Sequence, residues 1–85
     1  MRIRFSAHAL KQLKKLDRQI AKRVIDFLEN KVTGIEDPRQ MGKSLQGQLV
    51  NLWRYRVGDY RVIVEIKDEE LIIQIIKIGH RKDIY

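Results

Sequence analysis

The sequence predicts an α+β fold whose elements follow the order β-α-α-β-β-β. Three observations lead to this class. The first residues alternate between apolar and charged side chains, as a half-buried strand does. Two stretches with helical periodicity follow, and the second half of the chain holds three segments rich in β-branched and aromatic residues. With 85 residues, the chain is expected to form a single domain, 1–85, around one small core.

The first half of the chain predicts one strand and two helices in tandem. The run "MRIRF" puts Met1, Ile3 and Phe5 on one face of a short strand. Ser6 is suited to cap the first helix, and Asp17 is suited to cap the second. The second helix carries an apolar stripe that we expect to pack into the core, namely Ile20, Val24, Phe27, Leu28 and Val32.

The second half predicts a connection and a three-stranded meander. The stretch "TGIEDPRQMGKSLQGQ" contains the only proline and three of the five glycines, so we expect a loop with at most a weak helical turn. The segments "LWRYRV", "YRVIVEI" and "LIIQIIKI" are strands separated by "GD" and "KDEE". Gly58 opens a two-residue loop, a position that needs positive φ in a type II′ turn.

This hairpin brings three arginines onto one face. If Gly58 and Asp59 form the loop, Arg56 lies opposite Arg61, and Arg54 lies two residues along the same face. Like charges directly opposite on a sheet cost a few tenths to ~1 kcal/mol. Either the guanidinium groups extend into water or pair with Glu65 and Asp59, or they form a site for an anion. We favour the second interpretation, because a guanidinium matches the oxygens of a phosphate and a bound phosphate relieves the repulsion.

Composition limits the partners and the compartment. Eighteen Lys and Arg against eleven Asp and Glu give a net charge of +7, which suits a polyanionic partner such as nucleic acid. The absence of cysteine excludes disulfides and thiolate metal sites. No secretory signal pattern stands at the start, and we therefore expect a cytoplasmic protein with no membrane association.

Several kinds of catalysis are disfavoured by the residues present. The two histidines, His8 and His80, have no partners at metal-ligand spacing, and no pair of carboxylates is indicated. The sequence contains no phosphate-binding glycine-rich motif. We therefore expect no metal and no cofactor. Arginines, lysines, tyrosines and His80 could still cleave RNA, because RNA supplies its own nucleophile in the 2′-hydroxyl group.

The order of the predicted elements and two sequence motifs resemble those of a known family. The element order, the run "LQGQLVNLWRYRVGDYRVIVEI" and the ending "IKIGHRKDIY" are similar to the RelE/ParE superfamily of toxins from type II toxin–antitoxin systems, and more to its RelE branch. The resemblance implies a small twisted antiparallel sheet packed against two N-terminal helices. It also implies a ribosome-dependent endoribonuclease, an mRNA interferase that cuts mRNA in the A site by metal-independent attack of a 2′-hydroxyl group.

The resemblance also assigns roles to residues. By position, Arg54 and Arg56 bind phosphate, Arg61 and Arg81 are catalytic, and Tyr85 is the closing aromatic residue of the site. The RelE pattern has lysines at the positions of Arg54 and Arg56, in the segment "LWRYRV", and one of those lysines is its favoured general base. A guanidinium is a poor base at neutral pH. The general base is then His80, Tyr85, a ribosomal group or no strong base, and the sequence leaves these alternatives open.

Partners and rival functions follow from the same resemblance. It implies a cognate, RelB-like antitoxin, the ribosome and mRNA as partners. The main alternative is a ParE-like inhibitor of DNA gyrase that cleaves no RNA. A second alternative is a non-catalytic ribosome- or RNA-binding member of the family. The presence of arginine instead of lysine at positions 54 and 56 supports this alternative.

Overall fold

The structure is a computed structural model that describes residues 1–34, 36–45 and 52–83. Its elements are strand β1 (Arg2–Phe5), helix α1 (Ala7–Lys15), helix α2 (Arg18–Asp26), a π-helical turn (Phe27–Val32), a 3₁₀ turn (Pro38–Met41) and strands β2 (Gly42–Ser44), β3 (Leu52–Val57), β4 (Tyr60–Lys67) and β5 (Ile72–His80). The α+β class is confirmed. No helix in the described ranges is long and apolar enough to cross a membrane.

The sheet has five strands in the order β1-β5-β4-β3-β2. Strands β2 to β5 pair antiparallel, whereas β1 lies parallel to β5, with Arg2 opposite Ile72. The predicted antiparallel sheet is corrected in one respect, since the parallel β1 makes the sheet mixed. A period of two shows which face of a strand is buried, but it does not determine the strand's direction or its neighbour. The short β2 was also missed, because Gly42–Ser44 shows no apolar alternation.

The helices begin and pack as the sequence predicts. The Ser6 hydroxyl accepts a hydrogen bond from the Ala9 amide at 3.0 Å, and Asp17 accepts one from the Gln19 amide at 2.9 Å. Val24 of α2 is buried against the sheet. The apolar stripe continues into the π-helical turn, where the Thr33 amide donates to the Leu28 carbonyl.

The core lies between the helices and one face of the sheet. That face contributes Tyr55, Val62, Val64, Ile66, Ile73, Ile75 and Ile78, and the helical segments contribute Ala9, Leu13, Val24, Leu28 and Val32. The other face of the sheet carries no helix among the described residues. The functional side chains can therefore be sought on that open face.

Strand β5 contains a bulge that controls which side chains reach each face. Ile63 lies opposite Lys77 and Val64 lies opposite Ile75, so Ile76 is an extra residue. Because of this residue, Ile75 and Ile78 both face the core although they are three positions apart. The polar groups at the bulge are satisfied by α1 and its cap, since the Ser6 hydroxyl donates to the Ile76 carbonyl at 3.2 Å. The amide of Ile78 likewise donates to the Gln12 side chain at 2.7 Å.

The edge of the sheet at β2 is attached to the core through Tyr55. The Tyr55 ring is fully buried, and its hydroxyl donates to the Pro38 carbonyl at 2.9 Å. Burial raises the pKa of Tyr55 to about 12. A β-carbon on Gly42 would lie 2.6 Å from the Arg54 carbonyl oxygen and 2.7 Å from Cδ1 of Tyr55, so only glycine fits there. This packing keeps the 3₁₀ turn and β2 close to β3.

Tyr55→Phe tests that attachment. At neutral pH we expect the free energy of unfolding to fall by about 1 to 2 kcal/mol, because the Pro38 carbonyl loses its buried donor. The pKa of Tyr55 is higher in the folded chain than in the unfolded chain, so its stabilising contribution is lost as the pH rises from about 10 to about 12. Urea denaturation of both proteins should show their difference shrinking over that range. A constant difference would contradict this account.

Candidate functional site

The predicted arginine hairpin is present on the open face. Gly58 and Asp59 form its two-residue loop, with Gly58 at a φ of 60° and Val57 opposite Tyr60. Arg56 lies opposite Arg61, as the sequence predicts. The structure therefore brings Arg56 and Arg61 together across the two strands.

These arginines line a groove of about 430 Å³ at one end of the sheet. Its lining comprises Gln40, Met41, Gly42, Lys43, Arg54, Arg56, Arg61 and Arg81. Four of the six predicted site residues thus meet in one place, together with Lys43. The described lining contains five basic side chains and no carboxylate, which makes it suited to a polyanion.

Arg61 is held in place by the hairpin turn. Its Nη1 donates to the Gly58 carbonyl at 3.1 Å and to the Tyr60 carbonyl at 3.0 Å. A guanidinium has five N–H donors, so the donors on Nη2 and Nε are not used in these two bonds. The side chain is half-buried. Arg61 is therefore positioned before any ligand arrives.

Arg81 reaches the groove from the turn that follows β5. Its amide donates to the Asp59 carbonyl at 2.8 Å, which fixes the turn against the hairpin. Its Nε lies 3.9 Å from Oδ1 of Asp59, and both side chains are more than half exposed. An exposed ion pair of this kind contributes at most about 1 kcal/mol. A phosphate can therefore compete with Asp59 for this guanidinium.

Lys43 is a groove residue that the sequence did not indicate. It lies opposite Arg54 on β2, within the stretch predicted to be a connection. Its strand forms only because it pairs with β3 next to the closely packed Gly42 and Tyr55. The one signal in the sequence is the glycine itself, since a glycine can mark a close approach of two backbones.

His80 does not lie with the arginines. It faces Tyr60 across the β4–β5 ladder, on the side of the sheet that packs against α2. There it lines a separate cavity of about 210 Å³ with Ile20, Arg23, Val57, Asp59 and Tyr60. The predicted role of Tyr85 falls outside the described residues.

The groove can bind an anion and stabilise negative charge. Planar guanidinium groups bind phosphate oxygens in pairs, and the carbonyl contacts of Arg61 fix its direction. Among the described residues, no group of three His, Asp or Glu side chains could hold a metal ion. The described lining also offers no imidazole or carboxylate as a proton acceptor.

Comparisons with known proteins agree with this architecture. Residues 3–85 match the sequence model for the ParE toxin of the type II toxin–antitoxin system parDE. The toxin RelG of Mycobacterium tuberculosis is 32% identical over 83 residues, which cover 98% of this chain and 93% of RelG.

Solved structures show the same fold. The RelBE2 toxin–antitoxin complex of M. tuberculosis matches with a TM-score of 0.85 and 30% identity, over 96% of this chain and 92% of the matched chain. The RelB–RelE complex of Methanococcus jannaschii matches with a TM-score of 0.75 and 27% identity, over 96% and 94%. The sequence model spans almost the whole chain, and its relatives share the sheet on which the groove is built. The chain therefore belongs to the RelE/ParE superfamily of type II toxin–antitoxin toxins.

Proposed function

We propose that this toxin is an endoribonuclease, an mRNA interferase that cleaves mRNA in the ribosomal A site. The observation that supports this proposal is the groove, where five basic side chains converge and Arg61 is already positioned. Relatives at 32% and 31% identity are the toxins RelG and RelE of M. tuberculosis. A site of this composition suits RNA, because RNA brings its own nucleophile.

The proposed reaction is an internal transfer at one phosphate. The 2′-oxygen of the substrate attacks the adjacent phosphorus, and the bond from phosphorus to the 5′-oxygen breaks. The leaving 5′-oxygen takes up a proton from the solvent, and the products are a 2′,3′-cyclic phosphate and a 5′-hydroxyl group. Lys43, Arg54 and Arg56 bind the phosphate backbone. Arg61 and Arg81 donate to the oxygens that gain charge in the transition state.

The described lining of the groove offers no imidazole or carboxylate for proton transfer, and we assign Lys43 to phosphate binding. A guanidinium group is a poor general base at neutral pH. His80 lines the cavity on the α2 side of the sheet and not the groove, so we assign it no proton transfer at a phosphate held by Arg56 and Arg61. We therefore propose that Tyr85 or a ribosomal group accepts the proton of the 2′-hydroxyl, and that Tyr85 also contacts the base at the cut.

The proposed partners are the ribosome, mRNA and a RelB-like antitoxin. Two of the similar structures are complexes of a RelE-type toxin with its antitoxin. The charge of +7 suits contact with ribosomal RNA. A protein that acts on translating ribosomes works in the cytoplasm, and we propose this location.

A second candidate is a ParE-like inhibitor of DNA gyrase. The match of residues 3–85 to the sequence model of the ParE toxin favours this candidate. The groove favours RNA cleavage, because Arg61 and Arg81 converge there as donors for a phosphate. If gyrase supercoiling is inhibited at concentrations that leave mRNA on ribosomes intact, the second candidate is correct.

The salt dependence of binding tests the phosphate contacts. The ligand is a single-stranded RNA with 2′-O-methyl groups, which cannot be cleaved by this mechanism. We expect Lys43→Ala, Arg54→Ala and Arg56→Ala each to reduce the slope of log K against log salt by roughly 0.7 to 1, where K is the association constant for this RNA. Lys14→Ala, an exposed change on α1, is the matched control and should leave the slope unchanged. Unchanged slopes in all three groove variants would exclude a phosphate site.

Cleavage on translating ribosomes tests the catalytic assignment. Arg61→Ala and Arg81→Ala should each lower the single-turnover rate by on the order of 10² to 10³, because each removes a donor to the transition state. Deletion of Tyr85 should also lower the rate, with ribosome binding less affected than cleavage. An mRNA with one 2′-deoxy nucleotide at the cut should be intact. Cleavage of that mRNA at the modified position would contradict the proposed mechanism.

A further inference from the structure

We propose that His80 is a positioning residue that orders the turn carrying Arg81, and that it does so from the face of the sheet opposite the groove. This inference rests on the proposed function, since it concerns how a catalytic arginine of that function is aligned. The sequence offered His80 as a proton acceptor. The contacts of its ring and backbone support a different role.

The His80 ring is fixed by Tyr60. The two rings meet edge to face, with centroids 5.4 Å apart and planes at 84°. Tyr60 lies opposite His80 in the β4–β5 ladder, so the contact joins the start of β4 to the end of β5. Arg23 and Asp59 are the charged groups that line the same cavity. The ring therefore has a defined place against the helix side of the sheet.

The same histidine organises the backbone that follows it. Its Nδ1 accepts a hydrogen bond from the Lys82 amide at 3.2 Å, and its carbonyl accepts one from the Asp83 amide at 2.8 Å. An acceptor at Nδ1 means that the neutral ring carries its proton on Nε2. These two bonds determine the shape of the turn 81–83, and Arg81 is the first residue of that turn.

A third hydrogen bond ties this turn to the hairpin. The Arg81 amide donates to the Asp59 carbonyl at 2.8 Å, while Arg61 binds the carbonyls on either side, those of Gly58 and Tyr60. Arg61 and Arg81 thus both donate hydrogen bonds to backbone carbonyls of residues 58–60. If His80 loses its contacts, Arg81 loses alignment with Arg61 although neither arginine has changed.

Three substitutions separate the two contributions of His80. His80→Asn keeps a side-chain acceptor for the amide two residues ahead, as in an Asx turn, but loses the ring contact. His80→Phe keeps a ring against Tyr60 but loses the acceptor. His80→Ala loses both. His8→Ala is the matched control, because His8 is exposed on α1.

The first measurement is hydrogen exchange of the Arg81, Lys82 and Asp83 amides, which requires no ribosome. His80→Ala should speed exchange at these amides, with smaller effects for His80→Asn and His80→Phe and none for His8→Ala. Unchanged exchange in His80→Ala would refute this inference by itself.

The second measurement is single-turnover cleavage of mRNA on ribosomes as a function of pH. His80→Ala should lower the rate about 10- to 100-fold, since a misplacement of about 1 Å can cost 10²-fold. His80→Asn and His80→Phe should each recover part of the rate. The shape of the pH profile and the affinity for ribosomes should not change.

Two results would overturn the positioning role. If all three variants lose the same activity together with one limb of the pH profile, His80 is a proton acceptor. If exchange speeds up while cleavage per folded molecule is normal, the contacts of His80 are merely structural. A wild-type protein that cleaves no mRNA would instead refute the proposed function.

Discussion

The bulge at Ile76 is the constraint on which the candidate site depends. Side chains alternate along a strand, so the inward position of Ile75 would send Lys77, Gly79 and Arg81 to the core side if the strand were regular. The extra residue reverses this order and puts Ile78 into the core. Gly79 then lies opposite Arg61, and Arg81 reaches the groove. The bulge persists because Ser6 and Gln12 satisfy the polar groups that it disturbs.

The arginines of the groove repel each other, and contacts with the hairpin hold Arg61 in a fixed orientation. Arg56 and Arg61 lie directly opposite each other, a pairing that costs a few tenths to ~1 kcal/mol. The structure limits the cost by directing Arg61 toward the carbonyls of the hairpin turn, and by placing the carboxylate of Asp59 near Arg81. In the proposed function, a phosphate would therefore meet an Arg61 that is already aligned, and little reorganisation would remain.

The sequence predicted the local part of this site and missed the part that tertiary structure creates. The hairpin arginines followed from a two-residue turn and a period of two, which are short-range features. The face occupied by His80 depended on a bulge at Ile76, four residues earlier in β5, and no residue type in β5 predicts that bulge. Lys43 depended on a strand that exists only through its pairing with β3. The parallel pairing of β1 with β5 could not be predicted either, because alternating apolar and charged residues are compatible with a parallel or an antiparallel strand.

The edges of the sheet have a consequence for how this protein behaves alone. An exposed edge strand offers unpaired backbone groups to another chain, and long apolar edges promote aggregation. Here β2 is only three residues long and carries Lys43, while β1 carries Arg2 and Arg4 on its exposed side. Short, charged edges disfavour pairing between copies of the chain. Arg2, Arg4 and Lys43 are therefore expected to keep copies of the free toxin from pairing through the edges of their sheets.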